Sequence, residues 1–437
     1  MKQKLITIIL TLITILAPLL ILPNSMVDNY NILKLIVLLI GGLALLILLL
    51  LSYKTLTIDK KDIVILSFLG LVFISTFLSS NIKTSILGAR NRYEGLLMFI
   101  TYVCIYFASK KYFKYEKIST FLNIMFIVSM LIGIFGIVQK YVSYPKLYPI
   151  FNKGISSTFG NSNFFGSFIS IVLPIASTAY IFTGTKRGFI LSLVMFFNMI
   201  SAGTRSAWVA FALVGLIGLI YLIKQKNKKY FKRAFILFIC FITIFIYLLN
   251  GFEFIFNKFR DEANQKKPST SITERKLNTI KKEIEKAAEN GISDEMGSGR
   301  IAIWKFTLKL IGEKPILGCG PDNLWQGLLE NCSEEIHDFL TSKKRAVDKA
   351  HNEYLHIAAT LGIPALICYL IFIGLIIFPN IKKAMNNKVY FIMVLAIISY
   401  LVQAFFNIST IGVAPILWMI LGLIDNKKFI NNFNNFL

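Results

Sequence analysis

Apolar runs of close to 20 residues follow one another along most of this chain, and that repeat leaves few folds open. A run of that length is what an α-helix needs to cross about 30 Å of hydrocarbon. Inside lipid every backbone N–H and C=O must be bonded within the protein, so the spanning elements are helices or a closed barrel. The alternating pattern that barrel strands require is absent. Only 16% of the residues are charged and mean hydropathy is +0.65, whereas about a quarter of a soluble domain is charged. The sequence therefore reads as an all-α polytopic membrane protein.

Twelve spans are expected, at about 5–22, 32–51, 63–80, 95–109, 118–138, 164–182, 188–203, 207–223, 234–250, 354–378, 389–406 and 412–424. Residues 1–250 thus carry nine spans, 251–353 form one large polar loop, and 354–437 carry the last three. The first span follows Lys2 and Lys4 as a signal peptide would, but no small-x-small cleavage site follows it, so an uncleaved span is expected. Lysines crowd alternate loops: Lys54, Lys60 and Lys61; Lys110, Lys111, Lys114 and Lys117; Lys186 with Arg187; Lys224–Lys232; Lys382, Lys383 and Lys388. Such an excess marks cytoplasmic loops. Both termini are then cytoplasmic and the 251–353 loop faces outward. The net charge of +24 is accounted for by orientation and by anionic headgroups, and nucleic acid is not an expected partner.

Within the large loop, Thr273–Glu289 has good helix formers with charges at i,i+4 spacing, ending at Asn290 and Gly291. Arg300–Leu310 is expected to be an amphipathic helix with Ile301, Trp304 and Leu308 on one face, lying on the membrane interface or on the top of the bundle. Pro315 and the run Gly318–Pro321 then force a turn. Cys104, Cys240 and Cys368 fall in spans as small core residues. Cys319 and Cys332 share the loop, and whether they pair stays open.

Where the loop re-enters the membrane, His351, Asn352 and Glu353 crowd the outer mouth of a span. Polar groups are costly at that depth, which makes the cluster a candidate site. The chain has 38 lysines and 9 arginines, yet seven arginines fall on the outer side: Arg90, Arg92, Arg205, Arg260, Arg275, Arg300 and Arg345. The positive-inside tendency opposes that distribution. A guanidinium grips phosphate oxygens as a planar fork, and Arg90, Arg92, Arg205 and Arg300 stand in short glycine-containing stretches beside spans. Glu94 is either part of that cluster or a partner of Arg90 or Arg92. His356 reads as structural and His337, among acids, as solvated. No ligand spacing for a metal is present, and no glycine-rich nucleotide loop; neither metal nor cofactor is expected.

The run His351–Gly362, with Asn352, Leu355 and Gly362 in place, resembles the signature of O-antigen ligases. Ser157–Phe164 (STFGNSNF), Ala202–Trp208 (AGTRSAW), and Ser298–Trp304 (SGRIAIW) followed by Lys314–Pro321 (KPILGCGP), resemble segments of the related ligase and polymerase membrane domain. The resemblance runs in order over about 85–425 and implies a fold like that of GT-C-like glycosyltransferases. It implies a metal-independent, inverting transfer of a glycan from undecaprenyl pyrophosphate to a hydroxyl on the outer side of the bacterial plasma membrane. The acceptor is a glycan, lipid, wall polymer or protein. His351 is then the proton acceptor or acceptor-binding group and Arg205 and Arg300 clamp the pyrophosphate. Arg92, Arg90, Glu94, Asn161, Asn163 and Asn352 are further substrate-binding candidates. The competing readings are a flippase for the same lipid-linked sugar and a non-catalytic assembly scaffold. A flippase needs ionisable residues along a path through the membrane, and the spans carry almost none.

Overall fold

The computed structural model describes residues 2–22, 30–55, 57–114, 118–142, 155–261, 300–331, 347–426 and 428. Among them no strand occurs. In chain order the helices are α1 (Lys2–Leu19), α2 (Ile32–Leu50), α3 (Lys60–Phe77), α4 (Ile82–Leu87), α5 (Leu96–Tyr112), α6 (Ile118–Tyr141), α7 (Ser162–Thr183) and α8 (Lys186–Ala202). They continue with α9 (Arg205–Gln225), α10 (Lys228–Asp261), α11 (Arg300–Glu313), α12 (Leu324–Asn331), α13 (Glu353–Leu361), α14 (Ile363–Ala384), α15 (Lys388–Ala404) and α16 (Ala414–Ile424).

Seven of these are long and apolar enough to cross a membrane: α1, α2, α6, α7, α9, α10 and α14; α15 and α16 are shorter apolar helices. The outer helices turn large apolar side chains away from the bundle, among them Ile40, Leu216, Ile220, Phe235 and Phe378. Such a surface suits hydrocarbon, because lipid tails solvate it as well as a protein core does. The interior is built on α5, α7, α15 and α16, which are buried over most of their length.

Two of the sequence-based spans and the amphipathic loop helix are corrected. The tenth, expected as one helix over 354–378, is two: α13 stops at Leu361 and α14 starts at Ile363. The break is Gly362, at φ +90°, where a Cβ would collide with the Ile316 carbonyl. The ninth span lies in a helix that continues past residue 250 to Asp261. The amphipathic helix forms as α11, but its buried side chains are Ala302, Thr307 and Leu310, while Leu308 is exposed. That face packs on α12 and α13, with Ile303 and Phe306 beside Leu324, Leu328 and Leu355. Trp304 points sideways to meet Phe405 edge-on at 5.7 Å. The Thr273–Glu289 helix, Arg275, Arg345, His337 and Cys332 lie outside the described residues; Cys319 is a buried free thiol.

The two ends of the bundle differ. At the lysine-rich end the Lys110 ammonium is buried, 2.6 Å from Asp62, 2.8 Å from Asp59 and 3.6 Å from Asp425, and Lys61 pairs with Asp425 at 2.7 Å. These lysines hold α3, α5 and the end of α16 together. At the other end of α5, the chain enters through the loop 88–95, and there the candidate residues gather.

Candidate functional site

The loop that carries Arg90, Arg92 and Glu94 is held by one buried carboxylate. Asp322 Oδ2 accepts from the backbone N–H of Ala89 at 2.7 Å and of Glu94 at 3.2 Å. Lys349, itself buried, places Nζ 2.5 Å from Asp322 Oδ1 and 3.6 Å from Glu94. Glu94 also accepts from the Tyr102 hydroxyl at 3.3 Å. Arg92 donates from Nε and Nη2 to Asp348 at 2.8 and 2.6 Å and lies over the Phe164 ring, 5.2 Å from its centroid. The alternative in which Glu94 pairs with Arg92 is thus replaced: the glutamate takes Lys349 and the arginine takes Asp348.

The next two residues after Lys349 lead to His351, at φ +50°. Non-glycine residues enter that region rarely, and such residues cluster at functional sites. The conformation is fixed from both sides. Trp304 Nε1 donates to the Ala350 carbonyl at 3.0 Å, and Asn352 caps α13, its Oδ1 accepting from the Leu355 N–H at 3.1 Å. The side-chain oxygen of Asn352 is therefore committed to the helix. Behind the cap, Glu353 is buried and accepts from the hydroxyls of Tyr369 at 3.1 Å and Tyr400 at 2.9 Å.

The segment from Pro315 to Pro321 laces α13 in place. The N–H groups of Cys319 and Gly320 donate to the carbonyls of Ala359 and Thr360, and Ile363 N–H donates to Pro315. Gly318, at φ +64°, passes so close to the Thr360 backbone that a Cβ has no room. This accounts physically for the glycines in KPILGCGP: they let one backbone lie against another.

The two remaining segments meet beside this site. Asn161 caps α7 by accepting from the Asn163 N–H at 2.8 Å. Thr204 Oγ1 donates to the Ser162 carbonyl at 2.9 Å, which fixes the AGTRSAW turn on the STFGNSNF turn. Asn407 Nδ2 donates to the Asn163 carbonyl and to Ser167 Oγ, both at 2.9 Å. Arg205 opens α9 and is exposed; Arg90 is exposed too. Arg300 opens α11, within electrostatic reach of both Arg205 and His351.

Charge shapes these groups. Burial, then Arg300, lowers His351 to about 4, with Asp348 opposing and Arg92 and Lys349 adding to the shift, so the imidazole is neutral near pH 7. Its Nδ1 is buried with no hydrogen-bond partner among the described residues. Burial followed by Arg205 disfavours the charged form of Arg300, which makes an anion between the two arginines favourable. Burial would lower the Lys349 ammonium, but Asp322 and Glu94 outweigh it and hold it above its ordinary value. Burial raises Glu94, with Lys349 opposing.

His351, Arg92, Arg205, Arg300 and the turns of Asn161 and Asn163 are therefore brought to one end of the bundle. Sequence reasoning missed Asp322, Asp348 and Lys349, which build the site without belonging to the segments singled out. The available signal was their position: Asp322 directly follows the Gly320–Pro321 turn, and Asp348 and Lys349 directly precede His351. Among the described residues, no group of three or more His, Cys, Asp or Glu side chains is placed to hold a metal ion.

The helices and this polar end define a multi-pass all-α membrane protein with an arginine- and histidine-bearing site at one end of its bundle. Residues 190–370 match the family model described as O-Antigen ligase, so this stretch of the chain is similar to the O-antigen ligase and polymerase family. The matched stretch contains Arg205, Arg300 and His351; Arg90, Arg92, Glu94, Asn161 and Asn163 precede it in the chain. No curated protein matches the chain.

Proposed function

We propose that this protein transfers a glycan from undecaprenyl pyrophosphate to an acceptor hydroxyl on the outer face of the bacterial plasma membrane, as a ligase or a polymerase. The observation that carries the reading is the convergence of sequence-distant segments on His351. Arg92 pairs with Asp348, Thr204 bonds to Ser162, Trp304 bonds to Ala350, and Arg300 lies near both Arg205 and His351. The lysine distribution supports outward placement of that end.

In this reading the acceptor hydroxyl oxygen attacks the anomeric carbon as the bond to the pyrophosphate oxygen breaks, inverting the configuration. The hydroxyl proton passes to His351. The negative charge that develops on the leaving pyrophosphate is taken by Arg205 and Arg300, where stabilisation has its largest effect. His351 at about 4 is a weak base in the free protein. A pyrophosphate on the arginines opposes the charges that lower it, so the base strengthens when the donor is bound. The transfer needs no metal in this scheme, the arginines supplying the positive charge.

The test is reconstitution of the full chain in liposomes containing a labelled undecaprenyl-pyrophosphate oligosaccharide. Wild type is compared with His351→Ala and Arg205→Ala, and products are sized by gel and mass spectrometry. A ladder of longer lipid-linked glycans, lost in both variants, identifies a polymerase. Transfer only after a cell-envelope acceptor fraction is added identifies a ligase. No transfer with any acceptor overturns the reading, and activity untouched by both substitutions overturns the site.

A further inference from the structure

A cavity lies far from His351. It occupies about 370 Å³ among α1, α6, α7, α8, α15 and α16, within the range of about 300–1,000 Å³ of small-molecule pockets. Apolar side chains such as Phe126, Ile175, Met393 and Met419 make most of its wall. A polar rim is at the lysine-rich end, where Asn123 of α6 faces Thr183, Thr185 and Arg187 around the connection between α7 and α8. The far end of α8, at Ala202, adjoins Arg205; the helix itself, at about 1.5 Å per residue, separates the two sites by about 25 Å.

We infer that this cavity binds an anionic phospholipid, with an acyl chain among the apolar walls and the phosphate at Arg187. The cavity is apolar and stands inside a bundle surrounded by lipid, so hydrocarbon is its natural filling. The rim selects the headgroup. Arg187 is exposed, bonds Asn123 through one guanidinium N–H, and pairs with no carboxylate among the described residues, which leaves donors for a phosphate. Lys186 stands next to it on the first turn of α8, where no acidic residue is present and the cap residue Thr185 makes no side-chain cap bond. The unsatisfied N–H groups and dipole of that helix end add to the attraction for an anion. Three sources of positive potential thus meet at a polar edge of a mostly apolar cavity. The inference stands apart from the glycosyl-transfer reading.

The full chain is delipidated, placed in phosphatidylcholine nanodiscs, and titrated with spin-labelled phosphatidylglycerol or spin-labelled phosphatidylcholine. The immobilised fraction is read by electron paramagnetic resonance. The expected result is a saturable component that prefers phosphatidylglycerol, with the preference reduced about tenfold in Arg187→Gln, the equivalent of one charge-assisted hydrogen bond. Ala179→Phe, which fills the cavity, removes the component for both lipids. Arg187 is at the surface, so its variant reports even where the filled cavity fails to fold. Equal immobilisation of both lipids by wild type, or a preference unchanged in Arg187→Gln, overturns the inference. So does displacement of phosphatidylglycerol by an equal concentration of a polyprenyl phosphate, which would make the cavity a donor-tail site.

Discussion

Lys349 neutralises Asp322 across 2.5 Å, and this one buried pair ties the loop of Arg92 to the loop of His351. Asp322 accepts two backbone N–H groups from residues 89 and 94, while Lys349 is two residues from the histidine. Neither side chain reaches solvent. Removing one partner of a buried pair costs about 3–5 kcal/mol, because the other charge is left uncompensated. Lys349→Met is therefore expected to lower the unfolding midpoint of the purified protein markedly. The double variant Lys349→Met with Asp322→Asn should recover part of that loss. Thermal unfolding followed by tryptophan fluorescence measures both, and a double variant no more stable than Lys349→Met would refute the pairing.

The imidazole of His351 gives a pH signature. Its value of about 4 lies below the unperturbed 6.5 or so, so the unfolded chain binds more protons than the folded one between those two values. Stability then rises with pH across that window and is lost as pH falls from about 6.5 towards 4. His351→Gln should flatten the stability profile there. In the transfer assay the acidic limb of kcat/KM reports the free protein, so it should fall near pH 4 in wild type. A limb near 6.5 would show a histidine that is neither buried nor close to Arg300.

Arg205 and Arg300 can be told apart from generic positive charge. Lysine keeps the charge and loses the planar fork. Arg205→Lys is expected to reduce kcat/KM about tenfold and Arg205→Ala about a hundredfold or more, the scale of a lost transition-state donor. Because Arg205 is exposed at the start of α9, neither change should shift the unfolding midpoint. Full activity in Arg205→Ala would remove it from the site.

What could be read from the sequence followed from local chemistry. Span positions came from hydrophobic runs, whereas Asn161 and Asn352, expected as substrate-binding residues, turn out to cap α7 and α13. The split of the tenth span was not read, because 354–378 is mostly apolar and the break at Gly362 depends on its meeting Ile316, 46 residues away in the chain. The role of Lys349 was hidden for the same reason. A lysine in a charge-rich loop reads as solvated until Asp322 and Glu94 are brought to it by the fold. The orientation of α11 was misjudged because Trp304 and Leu308 look like a buried stripe, whereas the face that packs is the one carrying Ala302, Thr307 and Leu310.

Gly362 offers a test of how far the backbone break governs the site. At φ +90° and ψ 162° it occupies a region open in practice only to glycine. An added Cβ would also strike the Ile316 carbonyl. Gly362→Ala is expected to cost about 1–3 kcal/mol from the backbone conformation alone, and more if Ile316 cannot yield. The 315–321 backbone donates to the carbonyls of Ala359 and Thr360 and, among the described residues, to none of 347–352. Loosening it should therefore lower stability first and reduce transfer by shifting α13, whose cap follows His351 directly. Gly215→Ala is the control: it lies within α9 with open space around an added Cβ, and alanine in a helix interior is better than glycine by about 0.5–1 kcal/mol. Unfolding midpoints should move in opposite directions for the two variants. A Gly362→Ala protein as stable as wild type would mean that α13 and α14 can join without the turn, and that the break does not position His351.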